Sequence, residues 1–166
     1  MIAKTLVISD IDGCLTNGKF VYTSDGKVSK EFGAGDHEGV KLLKLNNIDI
    51  QFITADKIGW DISKKRIDDM NCQLDLVKEK DRIEYIEDKF NDYDYVIFFG
   101  DGIGDAYTAK RIDKLYFITP KNGRPECKER ADYVTPNNGG EGAFLDLTIE
   151  VLKHPTFYYG DVKYLY

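Results

Sequence analysis

An α/β fold, with a mostly parallel sheet flanked by helices on both faces, is predicted by three observations. Short apolar runs recur along the chain, amphipathic segments of helix length separate them, and the first run ends abruptly at Asp10-Ile11-Asp12-Gly13. Strands that alternate with helices are joined by crossovers, which makes the strands parallel and covers both sheet faces. Sheets of this kind gather their chemistry beyond the carboxyl ends of the strands.

The elements follow in order. Thr5-Leu6-Val7-Ile8-Ser9 reads as a buried strand. After it, Phe20-Val21-Tyr22 and Val28 to Phe32 flank Thr23-Ser24-Asp25-Gly26-Lys27, where Asp-Gly signals a hairpin turn. A helix is predicted over 36–46, its apolar stripe formed by Val40, Leu42, Leu43 and Leu45. The strand 49–54 ends in Thr54, and a helix over 58–70 follows. Ile83, Ile86 and Phe90, spaced i, i+3 and i+7, mark a helix over 80–90. Strands over 94–99 and 115–118 and helices over 104–112 and 141–153 complete the pattern. The economical division is a single domain over 1–154, with a hairpin flap at about 18–33 and an aromatic tail over 155–166.

Composition narrows the classes of function. At 166 residues the chain can bury a sizeable core. Its net charge of −6 argues against a nucleic-acid partner, because phosphate backbones require clustered Lys and Arg. Lys64-Lys65-Arg66 is the compact basic run, and Asp61, Asp68 and Asp69 flank it as on a solvated helix face. No apolar stretch approaches bilayer-spanning length, so no membrane partner is expected. Cys14, Cys72 and Cys127 form no CxxC pair, which disfavours zinc and disulfide frameworks. With no signal-like apolar segment at the start, the expected setting is cytoplasmic.

Two carboxylates one residue apart, where a buried strand breaks at a glycine, are costly to place. Each raises the other's pKa, and burial adds a desolvation cost that a bound cation relieves. Asp10 and Asp101 can supply carboxylates to Mg²⁺, which favours hard oxygen ligands. An aspartate nucleophile splits phosphomonoester hydrolysis into two steps through an acyl phosphate, and a second carboxyl serves as acid and then base. Thr54, the N–H of Ala55 and Lys80 would bind the phosphoryl oxygens. Lys78 competes with Lys80, which is preferred because a helix should start there.

These residues resemble the motifs of the haloacid dehalogenase superfamily. Asp10-Ile11-Asp12-Gly13-Cys14-Leu15-Thr16 looks like its first motif, Ile53-Thr54 its second, Lys80 its third, and Gly100-Asp101 with Asp105 its fourth. The resemblance implies a Rossmann-like fold with Asp10 as nucleophile and Asp12 as acid/base. Mg²⁺ would be held by Asp10, the Asp12 carbonyl and Asp101, with Asp105 in support. Gly35 to Leu43, Ala131-Asp132-Tyr133-Val134-Thr135 and Gly139-Gly140-Glu141-Gly142-Ala143 are similar to the 3-deoxy-D-manno-octulosonate 8-phosphate phosphatase group, which includes phosphatases of nonulosonate 9-phosphates. That similarity implies a small-molecule phosphate ester as substrate, a role in surface polysaccharide biosynthesis and no large cap domain. It also implies a homotetramer whose flaps help close neighbouring sites.

Octulosonate phosphatases usually carry Gly-Arg after the motif II Thr, whereas this chain has Ala55-Asp56-Lys57. Asp56 and Lys57 are therefore specificity candidates, with His37 and Gly140 as further candidates for touching substrate. Gly102 replaces the second Asp of the common Gly-Asp-Asp form, and Asp105 keeps the GDxxxD spacing. The segment from Pro120 to Arg130 departs from the group's pattern. The tail's five aromatics in ten residues, Phe157 to Tyr166, suit burial against a neighbouring subunit or against its own. Rival readings are a phosphatase of another small sugar phosphate, a receiver-like phospho-acceptor and a non-catalytic assembly protein. A receiver's acceptor Asp follows a later strand, and the strand before Thr54 has no matching Asp upstream.

Overall fold

A computed structural model describes residues 3–166. Its main sheet runs β5 (Leu74–Leu76), β4 (Asp49–Thr54), β1 (Thr5–Asp10), β6 (Tyr95–Phe99), β7 (Tyr116–Thr119), β8 (Tyr133–Val134), and every neighbouring pair is parallel. β1 is buried along its whole length and lies between β4 and β6. The chain leaves β1 towards β4 and leaves β6 towards β7, so the connections diverge between β1 and β6. The crevice of an open α/β sheet forms at such a point. Asp10 ends β1 there, and Asp101 follows β6 by two residues.

Alternation along the strands builds two cores. Val7, Phe52, Ile97 and Phe99 face Leu43 of α1 (Gly35–Leu45), Ile67 of α2 (Trp60–Asp69), and Phe144 and Leu147 of α6 (Ala143–Lys153). Leu6, Ile8, Ile53 and Phe98 face the other way. They pack with Ile86 of α3 (Arg82–Lys89), Ala106 of α4 (Ile103–Arg111) and Cys127 of α5 (Pro125–Arg130). Helices thus cover both faces, as the strand–helix alternation predicts.

β5, β8 and α5 go beyond the predicted elements. The two strands have three and two residues, too few to form a recognisable apolar run. α5 has six residues with Cys127 alone buried, and Pro125 in its first turn fixes φ at a helical value. β2 (Val21–Thr23) and β3 (Gly26–Ser29) form the expected hairpin as a separate antiparallel pair, turning at Gly26 with φ +105°.

The tail packs on its own chain. Phe157 is buried and stacks on His154 with ring centroids 4.4 Å apart, and its carbonyl accepts from Thr5 Oγ1 at 3.0 Å. Asn46 and Lys163 exchange two hydrogen bonds, at 3.0 and 2.9 Å. Tyr159, Tyr164 and Tyr166 remain exposed. Among the described residues, no helix is long and apolar enough to cross a membrane.

Candidate active site

The turn after β1 is built from backbone bonds. The Ile11 carbonyl accepts from the N–H groups of Cys14, Leu15 and Thr16 at 2.9–3.3 Å. Thr16 Oγ1 accepts from Gly13 N and Gly18 N at 3.1 and 3.2 Å. Position 13 admits only glycine: its φ is +87°, and a Cβ there would stand 1.9 Å from Asp101 Oδ2. That near-contact reports how closely the two acidic loops approach.

Asp105, in the first turn of α4, accepts on Oδ2 from Asp101 N and Gly102 N, both at 3.0 Å. It thereby shapes the loop that presents Asp101. Gly100 lies against it, since a Cβ there would be 2.5 Å from Asp105 Cβ. At the end of β4, buried Thr54 accepts on Oγ1 from Asp56 N at 3.1 Å.

These strand ends converge. Asp10, Asp12, Thr54, Ala55 and Asp101 line one cleft of about 250 Å³, with Arg82 in its wall. A larger cavity of about 550 Å³, lined by Lys44, Asp49 and Asp92, sits at the amino ends of the strands and gathers none of these groups. Size therefore does not pick out the site; the chemistry does.

Asp10, Asp101 and Asp105 each bring one carboxylate oxygen within 4.8 Å of the others. Burial, and then the charge of Asp105, pushes Asp101 up to about 7. Burial also holds Asp10 well above the usual carboxylate range, against the opposing pull of Arg82. Carboxylates held this way lack positive charge, and their hard oxygen donors suit Mg²⁺. Asp105 already serves two N–H groups and Arg82 Nη1, which leaves Asp10 and Asp101 as the freer ligands. The residues present therefore fit a divalent ion.

Arg82 is the cation in the cleft. Its side chain is buried, Nη2 donates to Asp10 Oδ1 at 3.1 Å, and Nη1 pairs with Asp105 Oδ1. Its Nε is buried without a partner, an open donor beside the carboxylates. Lys80 is not brought to the cleft. It is exposed on a short 3₁₀ turn, Glu79–Asp81, and lines a neighbouring cavity with Ile83, Ile103 and Tyr107. Helix phase is the signal that separates the two residues: Arg82 lies four before buried Ile86, hence on the inward face.

The other candidates are dispersed. Lys57 is exposed beside Asp56 and outside the cleft lining, and His37 is half-buried on α1, also outside it. Gly140 lines a separate cavity with Asn17, Glu31 and Phe32. Asp56 is in the cleft but occupied: Oδ2 lies 2.5 Å from Lys27 Nζ and 2.8 Å from Lys30 Nζ, and Oδ1 accepts from Gly59 N. Burial works to raise its pKa, but the hydrogen bonds from Lys27 and Lys30 outweigh that and hold it well below the usual range. Both lysines come from the hairpin, whose charges the sequence pattern alone would leave in solvent.

No family model matches the chain. A curated relative, the 3-deoxy-D-manno-octulosonate 8-phosphate phosphatase of Haemophilus influenzae, is 26% identical over 151 residues, covering 89% of this chain and 82% of that protein. The cobalt-bound structure of the Haemophilus influenzae deoxy-D-mannose-octulosonate 8-phosphate phosphatase superposes with a TM-score of 0.78 at 23% identity, over 91% of this chain and 88% of its own. The Moraxella catarrhalis 3-deoxy-D-manno-octulosonate 8-phosphate phosphatase, solved with a magnesium ion, a phosphate ion and KDO, gives a TM-score of 0.73 at 24% identity, over 93% and 89%. By sequence likeness and fold together, the chain is similar to haloacid dehalogenase superfamily phosphatases, and its likeness to the 3-deoxy-D-manno-octulosonate 8-phosphate phosphatase group supports a phosphoric monoester hydrolase.

Proposed function

We propose that the chain is a Mg²⁺-dependent phosphatase of a 3-deoxy sugar acid, of the octulosonate 8-phosphate or nonulosonate 9-phosphate kind. The observation that carries this reading is the convergence of Asp10, Asp12, Thr54, Arg82 and Asp101 on one cleft at the sheet's carboxyl edge. Asp10, the Asp12 carbonyl and Asp101 would hold the ion, which supplies positive charge against the phosphoryl oxygens.

The remaining chemistry falls to the chain's own groups. A carboxylate oxygen of Asp10 attacks phosphorus, and the bond from phosphorus to the sugar oxygen breaks. Asp12 gives its proton to the departing alkoxide. Water then attacks the aspartyl phosphate, Asp12 takes the water's proton, and inorganic phosphate leaves as Asp10 is restored. Thr54, the Ala55 N–H and Arg82 bind the phosphoryl oxygens throughout, and Arg82 takes the place that Lys80 holds in the sequence reading.

The named activity of the curated relative supports the sugar-acid substrate; a place in surface polysaccharide synthesis, in the cytoplasm, is part of the same proposal. Homotetramer formation through the hairpin fits the exposure of Val21, Tyr22 and Val28. The test is a panel of octulosonate, nonulosonate and hexose phosphates hydrolysed with Mg²⁺. A kcat/KM at least tenfold higher for one of the sugar acids is expected. Equal, slow turnover of all of them would remove the sugar-acid assignment.

A further inference from the structure

Lys30 follows β3 by one residue, at the exit of the hairpin, and its side chain is fully buried (0% exposed). Lysine is almost never buried without partners, because its charge loses hydration that only neighbours can replace. Here Nζ stands 2.8 Å from Asp12 Oδ1, 2.8 Å from Asp56 Oδ2 and 2.9 Å from Ser63 Oγ. Nζ donates to Ser63 Oγ, and the two carboxylates face the ammonium as ion pairs. The approach to Asp12 is an ion pair by distance, too oblique for a hydrogen bond, and Asp12 Oδ1 has no other partner.

The path of the side chain is itself built. Gly59 leaves the gap through which Lys30 passes: a Cβ at 59 would lie 2.8 Å from Lys30 Cε, 2.9 Å from Nζ and 2.2 Å from Asp56 Oδ2. Anchoring the hairpin does not require this residue, because Lys27 already pairs with Asp56 at 2.5 Å. What Lys30 adds is contact with the carboxyl two residues beyond the nucleophile.

We propose that Lys30 is a positioning residue for Asp12, brought against that carboxyl by the hairpin and held there by Asp56 and Ser63. It fixes one carboxyl oxygen of Asp12, leaving the other for the leaving group and then for water. The inference rests on the proposed reaction, in which Asp12 protonates the leaving oxygen.

Leaving-group dependence tests it. An alkyl oxygen departs only with a proton, whereas p-nitrophenolate departs without one. A well-placed acid is worth about 10²–10⁴-fold, so misplacing it forfeits a share of that for the alkyl ester alone. Lys30→Met is expected to lower kcat for the best sugar phosphate at least tenfold more than for p-nitrophenyl phosphate. Lys30→Arg should recover part of the difference. Gly59→Ala, which keeps the charge but closes the gap, should show the same selective loss and serves if Lys30→Met does not fold. Equal losses with both esters would make Lys30 a structural anchor and overturn the inference while leaving the proposed reaction standing. A wild-type protein inert towards every phosphate ester would instead overturn the reaction, and the role of Lys30 with it.

Discussion

Arg82 donates from Nη2 to Asp10 Oδ1 at 3.1 Å, so the first residue of α3 grips the carboxylate that ends β1. Through Nη1 the same guanidinium holds Asp105, which shapes the Asp101 loop. One buried cation therefore braces three strand-end loops, and its removal leaves two buried carboxylates without their counter-charge. Breaking such a buried pair costs about 3–5 kcal/mol. Arg82→Met is expected to lose at least a hundredfold in kcat and to melt well below the wild type. Lys80→Ala should keep kcat within about threefold and the melting temperature unchanged. Steady-state kinetics and a thermal melt on the two variants decide between the positions.

Asp10→Asn removes the proposed nucleophile without adding bulk. The amide keeps an oxygen to accept from Arg82 Nη2, and burial already disfavours the charge that is lost, so the metal-free fold should melt close to the wild type. Phosphate release should fall below detection. Mg²⁺ at about a hundred times its Kd should stabilise the wild type by about 2.7 kcal/mol, a rise of roughly 5–10 °C in Tm. That rise should shrink or vanish in Asp10→Asn, and chelation should reverse it in the wild type. A full Mg²⁺-induced rise in the variant would exclude Asp10 as a ligand.

Asp36 gives the pH dependence away from the cleft. It is buried on α1 with neither carboxyl oxygen hydrogen-bonded, and burial raises it from 3.8 to about 7, against a lowering pull from Arg66. Between about pH 4 and 7 the folded carboxyl thus keeps a proton that the unfolded chain has released. Stability contributed by this group is lost as pH rises through that window. In saturating Mg²⁺, the difference in Tm between Asp36→Asn and wild type should grow in favour of the variant from pH 5 to pH 8. A difference that stays flat across that range would show that Asp36 carries no such penalty.

Long, buried elements were legible because pattern and burial coincide in them. All six residues of β1 are buried, and its break at Gly13 announces the acidic turn. Asp10, Asp12, Thr54, Ala55 and Asp101 could be named from strand ends alone, since each terminates or follows a recognisable apolar run. Arg82 was missed because a 3₁₀ turn shifts the start of α3 past Lys80, and its spacing from Ile86 was the one trace it left in the sequence. Lys27 and Lys30 escaped for a different reason. On a hairpin, lysines read as solvated, and only the fold shows them buried against Asp56. Asp36 likewise looks like an ordinary acidic residue in the first turn of a helix.

The segment from Pro120 to Arg130, uninterpreted from sequence, supplies a last prediction. Asn122 Nδ2 donates to the Gly13 carbonyl at 2.9 Å, and its Oδ1 accepts from Gly139 N at 2.6 Å. Arg124 N donates to the Asp101 carbonyl at 3.0 Å. The turn after β7 thus ties the two acidic loops to the glycine-rich loop before α6. Asn122 itself is exposed, so each of its bonds is worth only about 0.5–1.5 kcal/mol. Removing both should loosen the motif I turn without unfolding the chain. Asn122→Ala is expected to raise the Mg²⁺ concentration for half-maximal binding by about three- to tenfold, read by calorimetry, with Tm lowered by only a few degrees. Asn122→Asp keeps the acceptor for Gly139 but sets a carboxylate against the Gly13 carbonyl, and it should weaken Mg²⁺ binding at least as much. Unchanged Mg²⁺ affinity in both variants would show that the turn after β1 holds its shape through Thr16 and the Ile11 carbonyl alone.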